Sequence, residues 1–211
     1  MTGAFSEEAT LTADLAPGSV PDSAADPDWD LVARIAAGDR DAFAELVERH
    51  HRRLLRVCER LLGDAEDARD AVQEVFLKVM VKAGGFRPKA LVSTWLYRVA
   101  VNHCLNVLRR RRLRRWVSLS PAEDEDAAAP LDPAEERADP HRELDARRQW
   151  GRVQRAIAAL PPSQRAVLVL ARFEELSYKE IAETLGITLG AVESRLFRAM
   201  RALEKAQEAP E

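Results

Sequence analysis

Four polar side chains near the C-terminus recur at the spacing of a helix face. They are Ser194, Arg195, Arg198 and Arg201. A guanidinium donates hydrogen bonds to phosphate oxygens and to the acceptor atoms of guanine in the major groove, and a hydroxyl bonds to several bases. The set therefore predicts a face that reads DNA. The alternative is an ordinary solvated helix surface.

A second group of cations lies in the middle of the chain. Six arginines occur between Arg109 and Arg115, interrupted only by Leu113. Cations at such close spacing repel one another unless a polyanion or water screens them. The run, including Arg109 and Arg110, predicts a helix end that binds phosphate.

Aromatic rings, amides and a guanidinium precede this run on the same predicted helix. They are Trp95, Tyr97, Arg98, Asn102 and Asn106. The loop just before the helix adds Phe86, Arg87 and Lys89. Such groups suit single-stranded DNA, because bases stack on rings while cations hold the backbone. Trp95 alone has an equally good alternative as a core residue.

A predicted helix from about residue 65 to 81 has an apolar stripe and an acidic side. Asp70, Gln73, Glu74 and Leu77 share the acidic side. An exposed leucine among carboxylates indicates a contact surface. The alternative is that these polar side chains simply face solvent and contact no partner.

Groups that make and break bonds do not occur in a usable pattern. The sequence contains no nucleophile paired with a base and no glycine loop that cradles phosphate. His50 and His51 lack a third ligand at a supporting spacing and are interpreted as a helix-surface pair. Cys58 and Cys104 are interpreted as buried thiols in a reducing compartment. We predict a protein that is not an enzyme and that needs no metal or cofactor.

Two short helices must position the C-terminal arginines. Ser177 and Glu180 form a predicted capping box for the first helix, and Gly186 supplies the positive φ at its end. Thr188 is predicted to cap the second helix. The apolar residues predicted to meet across the turn are Ile181, Leu185, Val192 and Leu196. This is the spacing of a helix-turn-helix unit, whose second helix enters the major groove.

Apolar residues at three- and four-residue steps predict an all-α protein of two helical domains. Further helices are expected over about 30–37, between the breaks at 38–41 and 63–64, over about 91–114, and over about 164–173. The predicted organisation is a disordered acidic tail (1–28), a first domain (29–115), a flexible acidic linker (116–144), a second domain (145–206) and a short tail (207–211).

Charge is distributed unevenly along the 211 residues. The formal net charge is −3, and no lysine or arginine precedes Arg34. Local patches, not the total, decide where a polyanion docks. The acidic tail is expected to be a solvating leader or an inhibitory arm that mimics DNA phosphates. We predict neither a signal peptide nor a membrane span, and a cytoplasmic location.

Four segments together carry a resemblance to a known family. They are Asp70 to Phe76, Ser93 to Asn102, Ala159 to Pro161, and Ile181–Ala182 with Gly190 to Ala199. On these segments the sequence resembles the extracytoplasmic-function (ECF) sigma factors of the sigma-70 family, small two-domain specificity subunits of bacterial RNA polymerase. The resemblance covers about 30–203.

The resemblance implies a role for each matching position. The residues that would grip the clamp helices of the largest polymerase subunit are Asp70, Gln73, Glu74 and Leu77. Those that would melt and read the −10 element are Phe86, Arg87, Lys89, Trp95, Tyr97, Arg98, Asn102, Asn106, Arg109 and Arg110. Those that would read the −35 element are Ser194, Arg195, Phe197, Arg198 and Arg201. An anti-sigma protein is a further implied partner.

Two positions depart from the family pattern. Ala191 and Glu193 stand where many members carry threonine and lysine or arginine. Base preferences at those positions are therefore not transferred. Glu193 would accept a hydrogen bond from a cytosine amino group or simply face solvent.

The free-energy cost of opening a promoter determines which mechanism we expect. Melting a duplex loses about 1.4 kcal/mol of stacking per base step, which one small domain does not supply alone. We therefore expect a polymerase subunit that captures unpaired bases with its first domain and holds duplex with its second. A stand-alone DNA-binding regulator is the alternative function. A helical adaptor, or a metalloenzyme using His50, His51 and His103, is a third.

Overall fold

The computed structural model of the protein describes residue 26 and residues 28–85, 91–117 and 151–208. Within these ranges the chain is helical, without β-strands. The first part contains α1 (Asp28–Ala36), α2 (Arg40–Leu62), α3 (Ala65–Lys82), a 3₁₀ turn (Ala83–Gly85) and α4 (Val92–Val117). The second part contains α5 (151–159), α6 (Pro162–Arg172), α7 (Tyr178–Leu185) and α8 (Leu189–Glu208). The all-α prediction is confirmed.

The first domain is a bundle in which α2, α3 and α4 pack against one another and α1 closes one side. Its fully buried side chains include Leu54 of α2, Val75 of α3 and Leu96 of α4. Cys58 and Cys104 are free and buried, as predicted. Burying large aliphatic side chains stabilises the fold by about 1.5–3 kcal/mol each.

Asp26 and Asp28, at the start of α1, tie this bundle together. The Asp26 carboxylate accepts hydrogen bonds from the backbone N–H of Asp28 at 3.0 Å and of Val92 at 2.8 Å. Asp28 is buried and accepts from Arg49 Nη1 and His50 Nε2, both at 2.7 Å. α1 begins two residues earlier than periodicity predicted, because Asp26 accepts from the N–H of Asp28 and the buried Asp28 carboxylate is itself bound by Arg49 and His50.

The caps predicted for the C-terminal helices are confirmed. Ser177 and Glu180 form a capping box at the start of α7. Gly186 ends α7 with φ 64°, in the left-handed region. Thr188 Oγ1 accepts from Ala191 N at 3.2 Å, at the start of α8. Ile181 and Val192 are fully buried where α7 and α8 meet.

The two domains contact each other directly. α6 packs against α2 and α4, and α7 packs against α4. α4 continues to Val117, three residues past its predicted end. The residues predicted to form most of the tail and the linker lie outside the described ranges. None of the described helices is both long and apolar enough to cross a bilayer.

Candidate nucleic-acid and protein interfaces

The second helix of the helix-turn-helix unit carries a solvent-facing basic strip. At about 100° per residue, Ser194, Phe197, Arg198 and Arg201 fall within one arc of about 100°. Phe197 is 66% exposed, and Arg198 and Arg201 are exposed. Arg195 lies at the edge of this strip and is partly buried. The structure thus brings the five predicted residues together on the outer side of α8.

The arginines of this strip have no carboxylate partner among the described residues. Arg198 donates to Ser194 Oγ within the strip itself. Four described arginines elsewhere in the chain do pair with carboxylates, as Arg34 does with Asp39 at 2.8 Å. Exposed cations without counter-charges are electrostatically available to a polyanion.

A second candidate surface runs along α4. Trp95, Arg98, Asn102 and Asn106 share one side of this helix, with Arg109 in line after them. Arg98 and Asn102 are partly exposed, while Asn106 and Arg109 are exposed. Trp95 is partly buried and packs against the core, so it has features of both of its predicted roles.

The structure corrects the orientation predicted for Tyr97. It lies two residues from Trp95, about 200° around the helix, and therefore on the opposite side. Its ring is 3% exposed, and its hydroxyl donates to Glu174 Oε2 at 2.7 Å. Burial, with this hydrogen bond, raises the pKa of Tyr97 above its ordinary value. Tyr97 does not share the surface of the other α4 residues.

The end of α4 extends the basic surface. Arg110, Arg112 and Arg114 are exposed, while Arg111 forms an ion pair with Asp67 of α3. One arginine of the run thus fastens α4 to α3, and its neighbours remain available to phosphate. Phe86, Arg87 and Lys89, predicted to act beside this surface, lie outside the described residues.

The acidic side of α3 is exposed along its length. Asp70, Gln73 and Glu74 face solvent, and Leu77 is 52% exposed. The sequence did not single out two further apolar residues at the end of the same helix, Met80 and Val81, and Val81 is 83% exposed. Exposed apolar groups beside a charged strip are typical of a protein-binding surface. The only sequence signal for Met80 and Val81 is that the apolar residues at the end of α3 extend beyond the stripe that faces the core.

The histidines proposed for a metal site are engaged separately. His50 bonds to Asp28 at 2.7 Å, His51 stacks on Phe76 with ring centroids 6.4 Å apart, and His103 Nδ1 lies 2.8 Å from Lys78 Nζ. Burial, followed by the Lys78 charge, lowers the pKa of His103. Among the described residues, no three histidine, cysteine, aspartate or glutamate side chains are grouped to hold a metal.

Sequence comparison matches two family models to the chain. Sigma-70 region 2 matches residues 46–114, which include α3 and most of α4. Sigma-70, region 4 matches residues 150–203, which include the helix-turn-helix unit. Each candidate surface therefore lies within a matched region.

Characterised relatives match over most of the chain. The RNA polymerase sigma-H factor of Pseudomonas aeruginosa is 36% identical over 179 residues, which is 85% of this chain and 93% of that protein. The ECF RNA polymerase sigma factor SigM of Mycobacterium tuberculosis is 37% identical over 178 residues, 84% of this chain and 83% of that protein. SigW of Bacillus subtilis is 30% identical over 174 residues, 82% of this chain and 93% of that protein.

Solved structures have a similar fold. CnrH, in complex with the cytosolic domain of CnrY, aligns with a TM-score of 0.62 and 26% identity, over 87% of this chain and 99% of that one. The sigma factor RpoE of Bartonella quintana, in complex with the anti-sigma factor NepR, aligns with a TM-score of 0.59 and 20% identity, over 80% of this chain and 98% of that one. The second likeness supports the fold alone.

Proposed function

The chain belongs to the ECF RNA polymerase sigma factors, and from that membership we propose how its surfaces divide the work of transcription initiation. The α3 strip binds core polymerase, the exposed side of α4 captures the −10 element, and the α8 strip reads the −35 element. One observation carries the proposal. The chain exposes two separate DNA-compatible basic surfaces and a third, acidic and apolar surface that DNA would repel.

The α3 strip has the chemistry of a protein contact. Asp70, Gln73 and Glu74 offer carboxylate and amide groups around the exposed Leu77. Charged groups at such an interface steer the encounter and fix its register, while a central apolar residue supplies buried area. A partner surface with basic residues around an apolar pocket fits this strip.

The α4 surface is suited to unpaired bases. Trp95 offers part of a ring for stacking, and Asn102 and Asn106 offer amides for hydrogen bonds to base edges. Arg98, Arg109 and Arg110 supply charge for the backbone. Phe86, Arg87 and Lys89, in the adjoining loop, are proposed to take part as well. Tyr97 is omitted, since it is buried on the other side of the helix.

The α8 strip is suited to duplex DNA. Arg198 and Arg201 are exposed and without carboxylate partners among the described residues, and Ser194 supplies a hydroxyl beside them. Arg195 and Phe197 complete the strip. A guanidinium reads guanine through two hydrogen bonds, and an aromatic side chain contacts the thymine methyl group.

Holding the chain on polymerase makes promoter opening feasible. Melting costs about 1.4 kcal/mol per base step, so contacts to polymerase must support the captured strand. The residues of the candidate surfaces bind and position DNA, and we propose no bond chemistry for them. We also propose a cytoplasmic location and control by an anti-sigma protein. CnrH, a structural relative, was solved with the cytosolic domain of CnrY bound.

Binding to core polymerase tests the α3 assignment. Asp70→Ala with Glu74→Ala should weaken binding by about tenfold or more, because it removes two charges from the contact. Asp30→Ala with Glu48→Ala removes two exposed carboxylates from α1 and α2 of the same domain and should bind normally. Equal binding by both double variants would refute the assignment. A stand-alone regulator, which the relatives do not favour, would bind its duplex equally well without polymerase.

A further inference from the structure

One carboxylate lies at the edge of the basic strip on α8. Glu193 is exposed and is the fifth residue of this helix, which begins at Leu189. At about 100° per residue it lies about 40° beyond Phe197, on the side of the strip away from Arg195. It is also the first charged side chain of the helix. The surface proposed to read duplex DNA therefore begins with an anion.

The contacts within α8 do not account for this anion. Residues three and four positions away are neighbours on a helix, and for Glu193 none of them is a cation. They are Leu189, Gly190, Leu196 and Phe197. Glu193 has no ion pair among the described residues. A carboxylate gains from the positive end of a helix mainly within the first turn, and that turn of α8 contains no acidic residue. The fold thus gives the Glu193 charge no partner of its own.

The space around Glu193 is open to a ligand. Gly190, one turn earlier on the same side, is exposed, and a Cβ atom placed there would meet nothing within 4 Å. One turn later lies Phe197, which is 66% exposed. The N-terminal residues of a recognition helix contact base edges in the major groove. Glu193 and Ser194 are the first polar side chains of α8, so they occupy that part of the helix.

The chemistry of the groove limits what Glu193 can face. Duplex DNA carries one negative charge per about 1.7 Å of its axis, so a carboxylate is repelled by the phosphates. The polar atoms that guanine and thymine present in the major groove are acceptors, and they also repel a carboxylate. Adenine presents an amino donor beside the N7 acceptor, whereas the polar group of cytosine is an amino donor alone. Cytosine is therefore the base that fits Glu193 best.

We propose that Glu193 selects cytosine at one position of the −35 element by accepting a hydrogen bond from its N4 amino group. The inference rests on the proposed function of the α8 strip and names a base that this strip requires. Glu193 and Arg198 are five residues apart, which is a rise of about 7.5 Å, or about two base pairs at 3.4 Å each. The cytosine should therefore lie within about three base pairs of the base that Arg198 reads.

A promoter library transcribed by the full chain with core polymerase tests the inference. The library is a promoter that the wild type transcribes, with its −35 element randomised, and the transcripts from each sequence are counted. Wild type should prefer cytosine over the other bases at one position by about 5- to 100-fold. Glu193→Ala should reduce that preference to less than about twofold, and the preferences at other positions should remain.

Glu193→Gln gives the most specific expected result. A glutamine amide donates to N7 of adenine and accepts from its N6, so the base preferred at that position should change from cytosine to adenine. Glu204→Ala provides the matched control. Glu204 is exposed on the same side of α8, about three turns after Glu193 and beyond the strip. Its removal should leave every base preference as in the wild type.

The outcomes separate this inference from the proposed function. If Glu193→Ala keeps every wild-type preference, the side chain only faces solvent and the inference is wrong. If Glu193→Ala raises transcription from all library members equally, the carboxylate only repels phosphates, and the inference is again wrong. In both cases a base preference lost in Arg198→Ala would preserve the role of α8. Unchanged preferences in both Glu193→Ala and Arg198→Ala would overturn that role as well.

Discussion

The arginines named here fall into three kinds by their contacts and their place in the fold. Arg49 and Arg111 pair with carboxylates within the first domain. Arg53 and Arg165 cross between domains. Arg198, on α8, has no carboxylate partner among the described residues. The first two kinds stabilise the fold, and the third is available for DNA.

Arg198→Ala tests the DNA-reading role. It should weaken promoter-directed transcription by the reconstituted polymerase by about 10- to 100-fold, which corresponds to one base contact of about 1–3 kcal/mol. Arg172→Ala removes an exposed arginine from α6 of the same domain and should have little effect. Equal losses for both variants would mean that α8 has no special role. Run-off transcription on one cognate promoter provides the measurement.

We expect His103 to make the stability of the first domain depend on pH. Its pKa is lowered in the folded chain, so the unfolded chain takes up the proton first as pH falls from about 6.5. This contribution to stability is present above that pH and is lost as pH falls through the lowered pKa. His103→Asn should therefore lose less stability than wild type between about pH 7.5 and about pH 5.5 in urea unfolding. His51→Asn, which changes an exposed histidine, should follow wild type.

For single residues, the sequence predicted which side chains could bind DNA better than it predicted which side of the helix they face. It identified the α8 arginines, because their helical spacing is local information. It misplaced Tyr97, because an aromatic ring between Leu96 and Arg98 is compatible with either side of the helix. The deciding contact is with Glu174, 77 residues away along the chain. No local pattern contains that contact.

Helix ends were predictable because capping is local. The α7 box, Gly186 and the Asp39 and Gly63 ends of α2 all use residues within four positions of the helix they limit. The start of α1 was predicted two residues late and the start of α4 one residue early. At these two ends distant residues take part: Arg49 and His50 bind the Asp28 side chain at the start of α1, and Asp26 accepts from the N–H of Val92 at the start of α4.

Removing one cap should have a measurable and local cost. Ser177→Ala deletes the hydroxyl that accepts from Glu180 N and should lower the free energy of unfolding by about 1 kcal/mol. Ser163→Ala changes an exposed serine in the first turn of α6, a helix without a side-chain cap, and should change stability by less than about 0.5 kcal/mol. Urea denaturation of both variants decides the point. Indistinguishable losses would show that the box contributes nothing specific.

The exposed end of α3 should matter for association and not for folding. Leu77→Ser changes a side chain that is 52% exposed, so the melting temperature should stay near that of wild type. Affinity for core polymerase should fall by about tenfold or more, because a buried apolar anchor is lost from the contact. Leu189→Ser, at an equally exposed leucine of α8, should bind core polymerase normally in the absence of DNA.

The contact between the two domains joins residues that are far apart in the sequence. Hydrophobic periodicity identified two sets of helices and an intervening acidic segment. It contained no information that α6 packs on α2 or that Arg53 meets Glu174, 121 residues apart. Those contacts depend on matching shape and charge between the surfaces of the two folded domains. Sequence resemblance indicated the family and its partners, whereas the packing of the second domain on α2 and α4 became visible only in the structure.

The most direct test combines purified chain, core polymerase and a pool of bacterial genomic DNA, followed by mapping of transcript starts. Transcript starts should appear only when both proteins are present. A shared pair of sequence elements, with constant spacing, should precede those starts. Transcripts independent of the added chain, or a chain that never associates with core polymerase, would contradict the proposed function.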